Sequence, residues 1–258
     1  MGLILMRSIT ADLRALGVTP GGVLLTHSSY RSLGFVPGGP QAVVHALLAA
    51  LGPDGTLVVP THTPDNSDPA QWTRPPVPRE WWESIRQEAP GFDPARTPAG
   101  KFMGVLAETV RAWPGALRSS HPQVSFAALG RRAAEVVSKH SLTAGLGEES
   151  PLGAVYRLDG QVLLLGCGHG NNTSLHLAEC RQADPPMHSA GGSIRRPDGT
   201  AEWVTWQEVD PDESAFEALG ADFEKTGAAR VGRVGESAAR LMSQRAVVDF
   251  ATGWLASR

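Results

Sequence analysis

The sequence predicts a single α/β domain over residues 1–258, with a mostly parallel central sheet flanked by helices, a late antiparallel addition and a long Pro/Trp-rich loop. Three observations carry that expectation. Short continuous apolar runs, VLLTH at 23–27, TLVVPT at 56–61 and QVLLLG at 161–166, alternate with segments of helical spacing. Strands buried on both faces read this way, and helical crossovers between them favour parallel pairing. Two alternating segments surround Asp198-Gly199 within 187–209, a hairpin signal. With 258 residues and 41% hydrophobic composition, the chain can bury one large core.

Taken in order, residues 7–17 predict a helix closed by Gly17, and 23–27 a buried strand. Residues 40–51 are apolar at helical spacing, with Pro40 in the first turn and Gly52 just past the end. Residues 56–61 form a second buried strand. Residues 62–100 break the rhythm, holding eight of the twenty prolines and Trp72, Trp81 and Trp82. A loop this long in a compact domain is usually functional, so a lid-like insertion is expected at about 62–100. Helix 101–112, a short segment at 117–120, strand 124–129, helix 131–139 and a short helix near 150–157 follow. Strand 161–166 then runs through a Gly-rich turn into helix 173–181. After the hairpin, a helix at 212–224 and a C-terminal helix from about 236 complete the reading.

Composition excludes several function classes. Lysine plus arginine total 23 against 26 aspartate plus glutamate, a net charge of −3. That balance offers no electrostatic case for nucleic acid or an anionic membrane surface. The longest apolar runs are too short to span a bilayer, and MGLILMRSIT places no basic residue before its apolar stretch, so no signal peptide is expected. Cys167 and Cys180 make neither a disulfide framework nor a cysteine zinc site. The expectation is a soluble cytoplasmic protein, monomer or homodimer.

Chemistry concentrates in GCGHGNNTSLHLAE, residues 166–179. A strand, a Gly-rich turn and a helix mark where ligands bind in open α/β sheets. The turn reads G-x-G-x-G and not G-x-G-x-x-G, so it is no dinucleotide fingerprint. His176 and Glu179 share a helical face, with Thr173 one turn earlier. A carboxylate beside an imidazole raises its proton affinity and fixes its tautomer, as a general base requires. The alternative is a buried structural histidine with Glu179 in solvent. His27 ends the first buried strand in LLTHSSYRSLG, where Ser28, Ser29 and Arg31 could meet an anion. No G-x-S-x-G occurs, so these serines lack a nucleophile elbow. A metal site drawn from His27, His62, His121 and His176 is the rival from another class, though no local ligand spacing supports one.

At these residues the chain resembles the aminoglycoside 3-N-acetyltransferases. The resemblance runs through GVTPGGVLLTHSSYRSLG (17–34), LGPDGTLVVPT (51–61), FDPARTPAGKFMGVLAETVRAWPGALRSSHPQVSFAALG (92–130) and SPLGAVYRLDGQVLLLGCGHGNNTSLHLAE (150–179). Residues 180–258 match only in general pattern, and 62–91 hardly at all. The resemblance implies acetyl transfer from acetyl-CoA to an amine of the 2-deoxystreptamine ring, and so antibiotic resistance. The family's T-x-x-H-x-A-E pattern lands on Thr173, His176 and Glu179.

That chemistry makes four demands. A base with a pKa near 7 must deprotonate the amine, which suits His176, or His27 in its place. The thioester oxyanion needs donors, from Thr173 or from backbone N–H groups near Ser28 and Ser29. The phosphates of the co-substrate need cations and hydroxyls, expected from Arg31 and Arg118 with Ser32 and Ser119. A polycationic substrate needs carboxylates, available at Asp65, Asp68, Glu83, Glu88, Asp93, Asp184, Glu208 and Asp210, with Trp72 and His121 as further contacts. Direct transfer in a ternary complex is expected, with no metal and with Cys167 a small buried residue and not an acylated nucleophile. The competing functions are transfer to a non-antibiotic amine and a histidine-based, metal-dependent hydrolase.

Overall fold

The apolar runs of the sequence form the middle of a seven-stranded sheet. The structure, a computed structural model, describes residues 2–258. The chain begins with α1 (Met6–Leu16), β1 (Val23–Ser28), α2 (Gly39–Leu51) and β2 (Thr56–Pro60). It continues with α3 (Trp82–Glu88), α4 (Gly104–Arg111), β3 (Leu117–Arg118), β4 (Phe126–Gly130), α5 (Ala133–Val137) and α6 (Pro151–Arg157). Then come β5 (Gln161–Leu165), α7 (Ser174–Glu179), β6 (Met187–Arg195) and β7 (Ala201–Val209). The last elements are α8 (Phe216–Lys225), β8 (Arg230–Val234), β9 (Ser237–Ser243) and α9 (Gln244–Ala256).

The strand order is β3-β4-β2-β1-β5-β9-β8, with β6 and β7 forming a separate two-stranded sheet. The α/β class therefore holds, and the parallel pairing is concentrated at the centre. β1 runs parallel to β2 and to β5, while β4, β3, β9 and β8 add antiparallel flanks. Among the described residues no helix is long and apolar enough to cross a membrane.

Strand periodicity divides the core. Successive side chains point to opposite faces, so Leu24, Leu57, Val59, Leu163 and Leu165 pack with α1, α2 and α4. Leu25, Val58, Phe126, Val162 and Leu164 pack with α5 to α9 on the other face. α1 shows why a helix forms at its position. Ile9, Leu13 and Leu16 are buried at helical spacing, and Gly17 (φ 106°) closes the helix with its N–H on Leu13 and Arg14 carbonyls. His27 lies two residues after Leu25 and so shares the face that α7 covers.

Two readings from the sequence change. The C-terminal helix begins at Gln244, not near 236, because residues 230–243 form the β8–β9 hairpin, turning at Gly235 (φ 58°). Residues 236–243 carry strong helix formers, but the free edge of β5 takes them as a strand through five paired positions. The 62–100 segment is also more built than a loop. It contains α3 and packs on the β6–β7 hairpin. Asn66 accepts from Ser193 N–H and donates to Ser193 O, each at 2.9 Å, Gln71 Nε2 donates to Ser189 O at 2.9 Å, and Phe92 N–H donates to Ser193 O at 2.9 Å.

Arg118 ties this segment to the sheet. Its guanidinium donates to Thr61 Oγ1 and Ser125 Oγ at 3.0 Å and to Thr61 O at 2.6 Å, reaches Thr97 O, and stacks 4.9 Å over Phe92. Truncating it strands several buried acceptors at once, which costs far more than a surface change. Arg118→Ala is expected to lower unfolding stability by about 2–4 kcal/mol in urea. A loss below about 0.5 kcal/mol would show that Arg118 does not hold the segment.

Candidate active site

The parallel strands β1 and β5 end side by side, with His27 paired to Leu164 and Ser28 to Leu165. From β5 the chain turns sharply at Gly166, whose φ of 72° and 1.8 Å approach of a built Cβ to Ser32 Oγ require glycine. Residues 167–173 carry it into α7, where Asn172 Oδ1 accepts Ser174 N–H at 3.2 Å. This turn delivers Thr173 and His176 to the wall of a cavity of about 770 Å³.

His176 is 5% exposed. Its Nδ1 lies 2.6 Å from Glu179 Oε2, the i,i+3 contact anticipated from the sequence. A carboxylate accepts, so in the neutral ring Nδ1 carries the hydrogen and Nε2 the lone pair, and in the protonated ring both nitrogens donate. Nε2 lies 3.5 Å from Glu213 Oε1, whose side chain is 59% exposed and lines the cavity with it. The ring also packs 4.9 Å from Phe216. Burial pushes the His176 pKa down, but hydrogen bonds to Glu179 and Glu213 outweigh it and the net shift is upward. The same contact holds Glu213 below the usual carboxylate range.

The other histidines behave oppositely. His27 Nε2 meets Thr173 Oγ1 at 3.3 Å, and burial, reinforced by the charge of His176, lowers its pKa to about 3. His62 also lines the cavity and is pushed well down, first by burial and then by neighbouring histidines. His121 is fully buried outside the cavity, with Nδ1 accepting the N–H groups of Gln123 and Val124 at 3.1 Å; burial lowers it to about 4. It packs 4.8 Å from His140, which burial lowers to about 3. The metal-site reading thus loses one of its four histidines to a separate cluster. Among the described residues no group of three or more His, Cys, Asp or Glu is arranged to hold a metal ion.

The remaining expected residues divide sharply. Ser28, Ser29 and Arg31 line the cavity, joined by Lys101, which sequence reasoning missed. Ser32 faces away, donating to Ser29 O at 2.7 Å and bonding Ser237. Arg118 is committed to the 62–100 segment, and Ser119 is buried with its Oγ 2.8 Å from His140 Nδ1. No loop acid lines the cavity. Asp65, Glu83 and Glu88 are exposed, Asp68 pairs with Arg86 at 2.7 Å, and Asp93 faces Arg195 at 3.4 Å. Trp72 donates to Ser67 Oγ at 2.9 Å. Asp184 is exposed, and Asp210 lies 3.3 Å from His188 Nδ1. Glu208 does approach the site, lining a small cleft of about 40 Å³ with His176, Glu179 and Cys180; burial raises its pKa. Cys167 borders the cavity, but burial pushes its thiol up to about 11 and that of Cys180 to about 12, so neither is a ready thiolate.

The family profile described as aminoglycoside 3-N-acetyltransferase matches residues 25–256. The chain belongs to that family. The SPbeta prophage-derived aminoglycoside N(3')-acetyltransferase-like protein YokD of Bacillus subtilis (strain 168) is 40% identical over 248 residues, 96% of this chain and 91% of YokD. Its crystal structure superposes with a TM-score of 0.97 at 38% identity, covering 100% of this chain and 95% of that one. Aminoglycoside N(3)-acetyltransferase IX of Micromonospora chalcea is 33% identical over 272 residues, 100% of this chain and 95% of that protein. The structure of AAC-IIIb in binary complex with CoASH matches at a TM-score of 0.89 and 31% identity, over 100% of this chain and 98% of the other. AAC-VIa bound to sisomicin matches at 0.88 and 30%, over 100% and 99%. The protein is an acyltransferase of this family, and its resemblance extends through residues 180–258, where motifs alone were faint.

The histidine environments of the acetyltransferase set a sign for its acid stability. His27, His62, His121 and His140 have folded pKa values below the unfolded value of about 6.5. Their contribution is present above about pH 6.5 and is lost as pH falls toward the folded values. His176, raised, contributes below that pH and loses its contribution as pH rises through its folded pKa, so it opposes the other four. Each linked group changes stability by at most about 1.4 kcal/mol per pH unit. The Tm is therefore expected to fall steeply from pH 7 to pH 5, and an equal Tm at both would contradict these environments.

Proposed function

We propose that the enzyme transfers the acetyl group of acetyl-CoA directly to the 3-amino group of the 2-deoxystreptamine ring of an aminoglycoside, in a ternary complex, with His176 as general base. The observation that carries this reading is one buried imidazole held between two carboxylates in the wall of the main cavity. The ammonium first loses a proton to solvent. The free amine attacks the thioester carbon, and His176 Nε2 takes the second proton as the C–N bond forms. Glu179 holds the ring in the required tautomer and meets the imidazolium charge. The C–S bond then breaks, and the protonated ring returns its proton to the thiolate. The products are the amide, CoASH and one proton.

The oxyanion is met by the Thr173 hydroxyl and by the backbone N–H of Ser28, which border the same cavity; the Ser29 N–H is already donated to Leu165 O at 2.8 Å. Arg31 and Lys101 supply positive charge for the phosphates of CoA, in place of Arg118, whose donors are spent. The polycationic substrate is drawn by Glu208, Asp210 and Glu213 and not by the acids of the 62–100 segment. This reading places the enzyme in the cytoplasm, where acetyl-CoA is made, and gives it a role in antibiotic resistance. Transfer to a non-antibiotic amine is separated from it by acetyl-CoA consumption with kanamycin-type, gentamicin-type and apramycin substrates.

His176→Ala is expected to lower kcat at least ~100-fold, within the range for loss of general acid–base catalysis. A folded variant keeping more than about a third of wild-type kcat would remove His176 from this role.

A further inference from the structure

α8 sits on the turn before α7 at closer range than a helix carrying side chains permits. The contact is Gly220 against the ring of His169. A Cβ at position 220 would lie 1.9 Å from His169 Cγ and 2.3 Å from Cδ2. The backbone there is helical, so glycine's left-handed freedom is unused and its missing side chain is what matters. Glycine is also a poor helix former, which makes its place within α8 costly unless close approach is needed.

The seat is built on both sides. His169 is 2% exposed, its Nε2 lies 2.9 Å from Glu224 Oε1, and Arg240 Nε on β9 donates to the same oxygen. One residue further on, Gly170 N–H donates to Glu217 Oε1 at 2.7 Å. Residues 217, 220 and 224 share one helical face, so a single stripe of α8 grips the turn that leads to Thr173 and His176.

The other end of α8 reaches the imidazole. Glu213 stands in the short 3₁₀ turn Glu213–Ala215 that runs directly into α8. Its carboxylate lies 3.5 Å from His176 Nε2, and the preceding Asp212 N–H donates to Glu179 Oε1 at 3.2 Å. Phe216, the first residue of α8, packs 4.9 Å from the same ring. A displacement of α8 from His169 therefore draws a carboxylate away from His176.

We propose that Gly220 and His169 are positioning residues, their contact setting how closely Glu213 approaches the His176 imidazole. Its catalytic consequence rests on the reading of His176 as the base; its structural content does not. The charged and titratable groups facing His176 are Glu179 on α7, Glu213 before α8, His27 on β1 and His62 after β2, with Glu208 on β7 and Cys180 lining the small cleft beside it. The two histidines are held neutral, so Glu179 and Glu213, the carboxylates that meet the ring nitrogens, balance an imidazolium, and losing one lowers its proton affinity.

The test is an NMR titration of the His176 ring, with kcat/KM pH profiles on the same proteins. Wild type is compared with Gly220→Ala, Glu213→Gln, Glu224→Ala and His169→Ala/Gly220→Ala. Glu213→Gln is expected to move the His176 titration about one pH unit lower. Gly220→Ala is expected to move it the same way, and the double variant, which makes room for the new methyl, to recover at least half of the change. Glu224→Ala loosens the seat without a clash and decides the matter if Gly220→Ala does not fold. An unshifted His176 titration in a folded Gly220→Ala protein, or in Glu224→Ala where that one fails, overturns the proposal. A shifted titration with an unmoved kinetic acid limb upholds the seat and removes His176 as the base.

Discussion

A buried imidazole takes a proton near neutral pH only when the charge it acquires is met close by. Desolvation otherwise drives its pKa far down, because the cation loses water and gains nothing. This protein contains both outcomes within one fold. His27, His62, His121 and His140 lack a carboxylate partner and are held neutral. His176 is as deeply buried, yet Glu179 at 2.6 Å and Glu213 at 3.5 Å reverse the direction. The fold exists around that difference. β1 and β5 bring their carboxyl ends together, the Gly166 turn swings the chain onto the sheet, and α7 presents His176 and Glu179 one turn apart. The neutral neighbours serve the same end, since His27 holds the Thr173 hydroxyl without adding a competing charge.

Much of this was legible in the sequence wherever the cause is local. The strands at 23–28, 56–60 and 161–165 announce themselves as apolar runs, and the His176–Glu179 contact follows from helical spacing. What failed depends on distant partners. SAARLMS, residues 237–243, favours a helix on propensity, and only the open edge of β5 makes it a strand. Glu213 gives no sequence signal because its relation to His176 arises when α8 docks, far along the chain. Arg118 reads as a phosphate ligand until the carbonyls of Thr61 and Thr97 claim it. The acids of 62–100 read as a cationic trap, but Asp68 and Asp93 face arginines and the segment spends its polar groups on the β6–β7 hairpin. Composition identifies charges; it does not say which are already answered.

The consequence is a division of labour across the sheet. The His176 imidazole, the Glu179 carboxylate and the Thr173 hydroxyl come from one turn and one short helix beside the end of a central strand. The second carboxylate comes from a segment that is half solvent and arrives on the end of α8. The buried Glu179 fixes the tautomer of the neutral ring, and the more exposed Glu213 adds to its proton affinity. The antiparallel additions, β6–β7 and β8–β9, support other elements. β6 braces the 62–100 segment through Asn66 and Phe92, and β9 anchors α8 through Arg240.

The proposed role of His176 depends on the link between Glu179 and the proton affinity of its ring. The pH dependence of kcat/KM for Glu179→Gln against wild type measures it most directly, because the acid limb reports the base in the free enzyme. Gln keeps the shape and removes the charge, so the acid limb is predicted to move to lower pH, with a reduced plateau from a weaker and misoriented base. An acid limb that stays at the wild-type pH in a folded, active variant would contradict the claim that His176, supported by Glu179, takes the proton.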